Sequence, residues 1–183
     1  QRVQNLQRAI ACFQHCLTLP RLDSAPIRWA DIMNNLGLAY AELSQCDNTA
    51  SQQLLTSAQA CLQQALTVYH HIRTPHECLV SYYNLGYVYL CQHAWQAAWQ
   101  AYEQGFTLQQ QLRYSTLHPP LMPFLLQASV RPAAATAYCL AQLGHLGSAI
   151  AILEQTETEA LHASLNLKKR QLNQLAELDQ QAL

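Results

Sequence analysis

Apolar residues recur along most of the chain at intervals of three and four, which places them on one face of an α-helix. This periodicity predicts helices at residues 2–19, 27–43, 51–72, 76–92, 94–112, 127–143 and 146–181. All seven prolines are expected between helices, where a missing N–H does least harm. Pro119, Pro120 and Pro123 predict a connecting loop at residues 113–124. The pattern therefore indicates an all-α fold.

A six-residue motif occurs twice, which indicates an internal repeat. Asn-Leu-Gly-x-x-Tyr lies at residues 35–40 and again, 49 positions later, at residues 84–89. Because glycine lacks a Cβ atom, a second helix can approach closely at Gly37 and at Gly86.

The second helix of each pair carries a small, a large and a small residue at intervals of four and three. This pattern occurs at Ala58, Leu62 and Ala65, at Ala98, Tyr102 and Gly105, at Ala9, Phe13 and Cys16, and at Ala149, Leu153 and Thr156. Such residues share one face of a helix. We expect Gly37 to meet Ala58 and Gly86 to meet Ala98.

The repeat predicts one helical-repeat domain over residues 1–183, beginning with a half repeat at 2–19. Pairs follow at 27–72 with a polar insertion at 44–51, at 76–112 and at 127–156, before a C-terminal helix to 181. Because Gln1 lies within a predicted helix, we expect the chain to be a fragment of a longer protein.

Composition argues against several classes of partner. Net charge is −1, and the one basic cluster, Lys168 to Arg170, is too small for a strong phosphate footprint. No apolar run is long enough to span a membrane. Seven cysteines scattered through predicted helices favour a reducing compartment over a disulfide framework. We therefore expect a cytoplasmic protein that binds neither nucleic acid nor membrane.

Candidate chemical groups do not form a familiar site. His70, His71, His76 and Cys78 cluster in sequence, but their spacing matches no known zinc ligand set. A nucleophilic cysteine would need an activating base and an electropositive setting, which no pattern indicates. The prediction is a chain with no catalytic residue, cofactor or metal, and hence no enzyme.

Residues 79–112 resemble a complete tetratricopeptide repeat, a unit of 34 residues, without gaps. The sequence departs from that repeat at Met33 and Tyr82, where a tryptophan is usual. The resemblance implies a superhelix of antiparallel helix pairs, here with a long C-terminal helix.

The motif at residues 29–40, Trp-Ala-x-x-x-Asn-Asn-Leu-Gly-x-Ala-Tyr, is similar to a motif of bacterial, especially cyanobacterial, repeat proteins. Residues 137–155 resemble the last repeat before a CHAT domain, which is a caspase-like peptidase. This resemblance implies the non-catalytic repeat region of a larger CHAT-type protein. The alternative is the repeat region of a bacterial transcriptional regulator or of an NTPase-coupled signalling protein.

In stacked repeats the first helix of each pair lines a concave groove that binds a peptide or helix. Here that face includes Asp31, Asn34, Leu38, Glu42, Val80, Tyr83, Tyr87 and Cys91. We predict partner binding at Asn34, Leu38, Tyr83 and Tyr87, while packing of the two tyrosines on the neighbouring repeat is the alternative.

The partner is expected to be a protein or peptide segment, from another chain or from the same polypeptide. Residues 30–43 and 77–92 contain no Lys or Arg, which argues against a clamp for a carboxylate. The amphipathic segment 159–181 is predicted to cap the open end of the array. The sequence leaves the oligomeric state open.

Overall fold

A computed structural model describes residues 1–19, 25–46, 51–115 and 122–158, together with Leu161 and Leu165; at 113–115 and 122–131 it describes the backbone alone. The helices are α1 (Arg2–Leu17), α2 (Pro26–Ser44), α3 (Ser51–Ile72), α4 (Pro75–Cys91), α5 (Trp95–Ser115), α6 (Met122–Gln142) and α7 (146–158). These ranges contain no β-strand. The prediction of an all-α fold is confirmed.

Prolines and left-handed residues mark the helix boundaries. Pro26 and Pro75 begin α2 and α4, at the position where a helix needs no N–H donor. Arg73 and His93 follow α3 and α4 with φ of 56° and 57°, and Gly144 follows α6 with φ of 83°. After each of them, the next N–H bonds a carbonyl five residues back, at 2.8 to 3.0 Å. The same tight turn therefore ends three helices.

Two expectations about proline are wrong. Pro132 lies inside α6, as it also lies inside the predicted helix 127–143. The predicted loop at 113–124 is wrong at both ends, because α5 continues to Ser115 and α6 begins at Met122, and residues 116–121 lie outside the described residues. Pro123 causes no break because it occupies the first turn of α6. Around Pro132, burial of Ala133, Ala137 and Leu140 compensates for the missing hydrogen bond, so the helix continues.

Some predicted segments fall partly on positions outside the described residues. Residues 47–50 of the predicted insertion are among them, and so is most of the predicted C-terminal helix, at 159–160, 162–164 and 166–183. The chain forms two compact units, Gln1–Leu117 and His118–Leu183. A single array over residues 1–183 stays a prediction.

In the first unit, α2 packs along α3 and α4 along α5, while α1 packs on α2 and α3 on α4. A Cβ atom on Gly37 would lie 3.0 Å from the Ala58 carbonyl oxygen and 2.8 Å from Leu62 Cγ. The predicted close approach of Gly37 to Ala58 is confirmed. A Cβ atom on Gly86 would lie 2.7 Å from the Tyr102 ring, so the nearest neighbour of this glycine is the large residue of the pattern.

In the second unit, α6 and α7 are joined by the turn at Gly144. The buried side chains include Ala133, Ala137, Cys139 and Leu140 of α6 and Ala149 of α7. These residues are mostly small, as the pattern of helices meeting at small side chains predicts.

Candidate binding surface

The candidate surface follows α2 and α4, which touch each other. α4 also packs against α3 and α5, and from His76 to Gln92 every side chain is buried or half-buried. A helix enclosed in this way needs no polar face. Two polar residues in the middle of α4, Ser81 and Asn84, therefore require specific partners.

Both of these residues bind Asn34, one of the predicted partner-binding residues. The Asn34 side-chain oxygen accepts a hydrogen bond from the Ser81 hydroxyl at 2.8 Å and another from the Asn84 amide at 3.2 Å. Asn34 and Ser81 are buried. Through these two hydrogen bonds, the Asn34 side-chain oxygen links α2 to α4.

Tyr83 packs on the second helix of its own pair. A Cβ atom on Gly105 would overlap the Tyr83 ring, whose centroid lies 6.4 Å from that of Tyr102 and 6.2 Å from that of Phe106. The Tyr83 hydroxyl donates a hydrogen bond to the Gln109 side-chain oxygen. The half-buried ring therefore packs directly over Gly105 of α5.

Tyr87 and Leu38 are also half-buried, and Tyr87 packs against the core. Burial, then the adjacent Cys91 and the Glu42 carboxylate, raise the pKa of Tyr87 to about 12. The Tyr87 hydroxyl is therefore a neutral group over the physiological pH range. The role of all four predicted residues in binding a partner stays a prediction.

The two acidic residues of this surface have partners in neighbouring helices. Asp31 accepts a hydrogen bond of 2.6 Å from the hydroxyl of the buried Tyr69, and Glu42 forms an ion pair with Arg2. Burial and this hydrogen bond raise the pKa of Tyr69 well above its ordinary value. The exposed Arg2–Glu42 pair adds little stability.

Sequence reasoning missed a hydrogen bond that recurs between pairs. Gln14 of α1 donates to the Tyr40 hydroxyl at 2.8 Å, and Gln63 of α3 donates to the Tyr89 hydroxyl at 3.2 Å. The two bonds are 49 residues apart, like the repeated motif. The signal for them was present, since the motif ends in these two tyrosines and a glutamine precedes each of them by 26 positions.

In the histidine cluster, the side chain of His70 contacts a tyrosine. His70 Nε2 lies 2.9 Å from the Tyr82 hydroxyl, and the two rings meet edge to face. Within the described ranges, no three His, Cys, Asp or Glu side chains are grouped as metal ligands. All seven cysteines are free thiols.

No protein-family model matches this sequence, and no curated protein matches it. In the part of the chain that the structure describes, no helix has both the length and the apolar character that crossing a membrane requires.

Proposed function

We propose that this chain is a tetratricopeptide-like superhelix that binds a protein or peptide segment along α2 and α4 and performs no catalysis. The observation that carries the proposal is the contact of α2 with α4, together with the half-burial of Leu38 on α2 and of Val80 and Tyr87 on α4. Half-buried apolar side chains on adjoining helices retain surface that a partner segment can remove from water.

The repeated contacts support the superhelical arrangement. The Gln14–Tyr40 bond relates α1 to α2, and the equivalent Gln63–Tyr89 bond relates α3 to α4. The same chemistry at the same spacing is expected when equivalent helices stack in equivalent ways.

The charges of this face indicate which chemical class of partner it can bind. Its acidic residues, Asp31 and Glu42, are engaged with Tyr69 and Arg2, and residues 30–43 and 77–92 contain no Lys or Arg. A partner that depends on a terminal carboxylate would find no cation there. An amphipathic helix or an extended apolar segment fits better, from another protein or from the same polypeptide.

The wider setting follows from the sequence resemblance. We propose that the chain is the repeat region of a larger, cytoplasmic CHAT-type protein, in which a bound segment changes how the attached domain is held. Sequencing the gene on both sides of this region tests that setting. A caspase-like domain downstream is the expected result, whereas an upstream nucleotide-binding or DNA-binding domain would favour a signalling or regulatory protein.

Leu38 offers the cleanest test of the surface. Truncation of Tyr83 would expose the Gly105 crossing and change the fold as well as the surface. Leu38→Glu instead places a charge on a half-buried position of α2, and Asn35→Glu, on the exposed side of the same helix, is the matched control.

Both variants and wild type are used as bait against an extract of the source organism, with circular dichroism and melting curves to confirm folding. We expect wild type and Asn35→Glu to retain the same partner and Leu38→Glu to lose it. A partner retained equally by a folded Leu38→Glu variant would exclude this surface.

A further inference from the structure

The side-chain amides of Asn34 and Asn84 use only part of their hydrogen-bonding capacity where α2 meets α4. The Asn34 oxygen accepts hydrogen bonds from the Asn84 nitrogen at 3.2 Å and from the Ser81 hydroxyl at 2.8 Å. Among the residues that the structure describes, neither the Asn34 amide nitrogen nor the Asn84 side-chain oxygen has a hydrogen-bond partner. The pair therefore retains one unused donor group and one unused acceptor.

These unused groups do not lie at an ordinary surface position. Asn34 is only 9% exposed and Asn84 is half-buried, whereas Asn35, the next residue along α2, is exposed. A buried amide group without a partner is costly, and native structures contain few of them. The unused donor and acceptor therefore indicate a ligand that offers the matching acceptor and donor side by side.

A single residue of an extended peptide offers this combination. Its own N–H and C=O point to the same edge, as in an antiparallel sheet, where two facing residues exchange both hydrogen bonds. In an α-helix the backbone groups bond to one another, and each end leaves only N–H groups or only C=O groups unused. The asparagine pair is thus complementary to the backbone of an extended segment and not to that of a helix.

The residues around the pair suit the side chains of such a segment. Leu38 follows Asn34 by one helical turn, Val80 precedes Asn84 by one turn, and both apolar side chains are half-buried. Alternate side chains of an extended segment point to one face, so apolar residues on either side of the bonded residue can pack there. Because residues 30–43 and 77–92 contain no Lys or Arg, an internal stretch suits this surface better than a terminal carboxylate.

We propose that α2 and α4 bind an extended peptide segment through its backbone. One residue of the segment donates its N–H to the Asn84 side-chain oxygen and accepts, through its C=O, a hydrogen bond from the Asn34 amide. This inference rests on the function proposed above for α2 and α4, and it selects the extended segment over the amphipathic helix. Backbone recognition fixes the position of the segment, while its flanking apolar side chains provide selectivity.

An ester scan of a selected peptide tests the proposal on the full chain. The probe is a peptide from a random display library of about 12 residues, at most about 40 Å when extended, selected on wild type and counter-selected on Leu38→Glu. Each backbone amide is replaced in turn by an ester, which removes one N–H and leaves every side chain in place. Fluorescence anisotropy measures Kd, and we expect one ester to weaken binding by roughly tenfold.

Variants assign that N–H to its acceptor. Asn84→Ala removes the acceptor while Asn34 keeps its bond to Ser81, so the sensitive ester should weaken binding to this variant no further. Asn34→Asp keeps an oxygen for Ser81 and Asn84 but has no amide donor, and it should weaken the parent peptide by roughly tenfold. Asn35→Asp, the same change at the exposed neighbour, should bind like wild type. Circular dichroism and melting curves confirm folding.

The outcomes separate this inference from the proposed function. If no peptide is selected whose binding Leu38→Glu abolishes, the function proposed for α2 and α4 fails. If such peptides bind but no ester weakens them, or if the sensitive ester weakens binding to Asn84→Ala as much as to wild type, only the extended-backbone inference fails. A peptide that becomes helical on binding, by circular dichroism, would overturn that inference as well, because its backbone groups would bond to one another.

Discussion

The hydroxyl of Ser81 on α4 donates a hydrogen bond of 2.8 Å to the side-chain oxygen of Asn34 on α2, and both residues are buried. This contact connects the first helices of two successive pairs. A buried polar group is costly without a partner, so the bond favours the one arrangement of α2 and α4 that satisfies both residues.

Asn34→Ala should therefore destabilise the protein by about 1–3 kcal/mol, because Ser81 and Asn84 lose their shared acceptor. Chemical denaturation measures the loss. Asn35→Ala, at an exposed position one residue along, should change the free energy of unfolding by less than about 0.5 kcal/mol.

A double-mutant cycle separates the Asn34–Ser81 bond from the loss of side-chain volume. Asn34→Ala combined with Ser81→Ala should show a coupling of about 0.5–3 kcal/mol. Strict additivity of the two changes would mean that the residues do not interact.

Gly86→Ala should be destabilising although alanine is the better helix former. Its new methyl group would lie 2.7 Å from the buried Tyr102 ring, and overpacking of this kind costs about 1–3 kcal/mol, against about 1 kcal/mol gained in helix propensity. Gly147→Ala is the matched control, because its methyl group meets nothing within 4 Å, and it should stabilise by about 0.4–1 kcal/mol. Thermal melting measures both. Equal effects of the two substitutions would contradict the close contact at Gly86.

The cysteines should separate into reactivity classes towards a disulfide reagent at pH 8. Cys12 and Cys46 are exposed and should react first. Burial raises the pKa values of the thiols of Cys61, Cys78 and Cys139, which lowers the thiolate fraction and blocks access.

These three buried thiols should react only as fast as the protein opens, and all seven should react at once in denaturant. Labelling followed by peptide mass spectrometry identifies the sites. Rapid labelling of Cys61 in native protein would contradict the packing of α3.

Stability should fall as pH rises from about 10 to about 12. An unfolded tyrosine loses its proton near pH 10, whereas native Tyr87 retains it to about pH 12. Between these values the unfolded chain binds fewer protons than the native one, so increasing pH favours unfolding.

Tyr87→Phe should therefore melt with a shallower pH dependence than wild type over this interval. Tyr138→Phe, at a position that is about half exposed, is the control and should follow the wild-type curve. Parallel curves for Tyr87→Phe and wild type would show that Tyr87 ionises alike in the folded and unfolded chains.

Local chemistry was sufficient to predict most of the helices. α2 and α4 begin at Pro26 and Pro75, one residue before the predicted starts, and α3 spans the predicted residues 51–72. At Pro132 the expectation that prolines lie between helices failed, while the apolar periodicity that predicted a helix at 127–143 was right. The proline rule describes a local cost, and burial of the surrounding residues outweighs it.

The candidate surface was less predictable, because periodicity identifies a face but not what occupies it. Tyr83 and Tyr87 have the same spacing as two free groove residues would have. The structure places one over Gly105 and the other against the core and beside Cys91. Which neighbour a side chain meets depends on the distance and angle between helices, and the sequence pattern does not contain that information.

The sequence alone determined that this protein is built of paired α-helices that meet at Gly37 and Gly86, because a helix repeat and a missing Cβ are local properties. Tertiary structure decided the rest: that Asn34 faces Ser81, that Tyr102 covers Gly86, and that Leu146 is exposed while Leu55 is buried. Those outcomes depend on which helices become neighbours in space, and similar apolar patterns in α3 and α7 are compatible with both a covered and an open face.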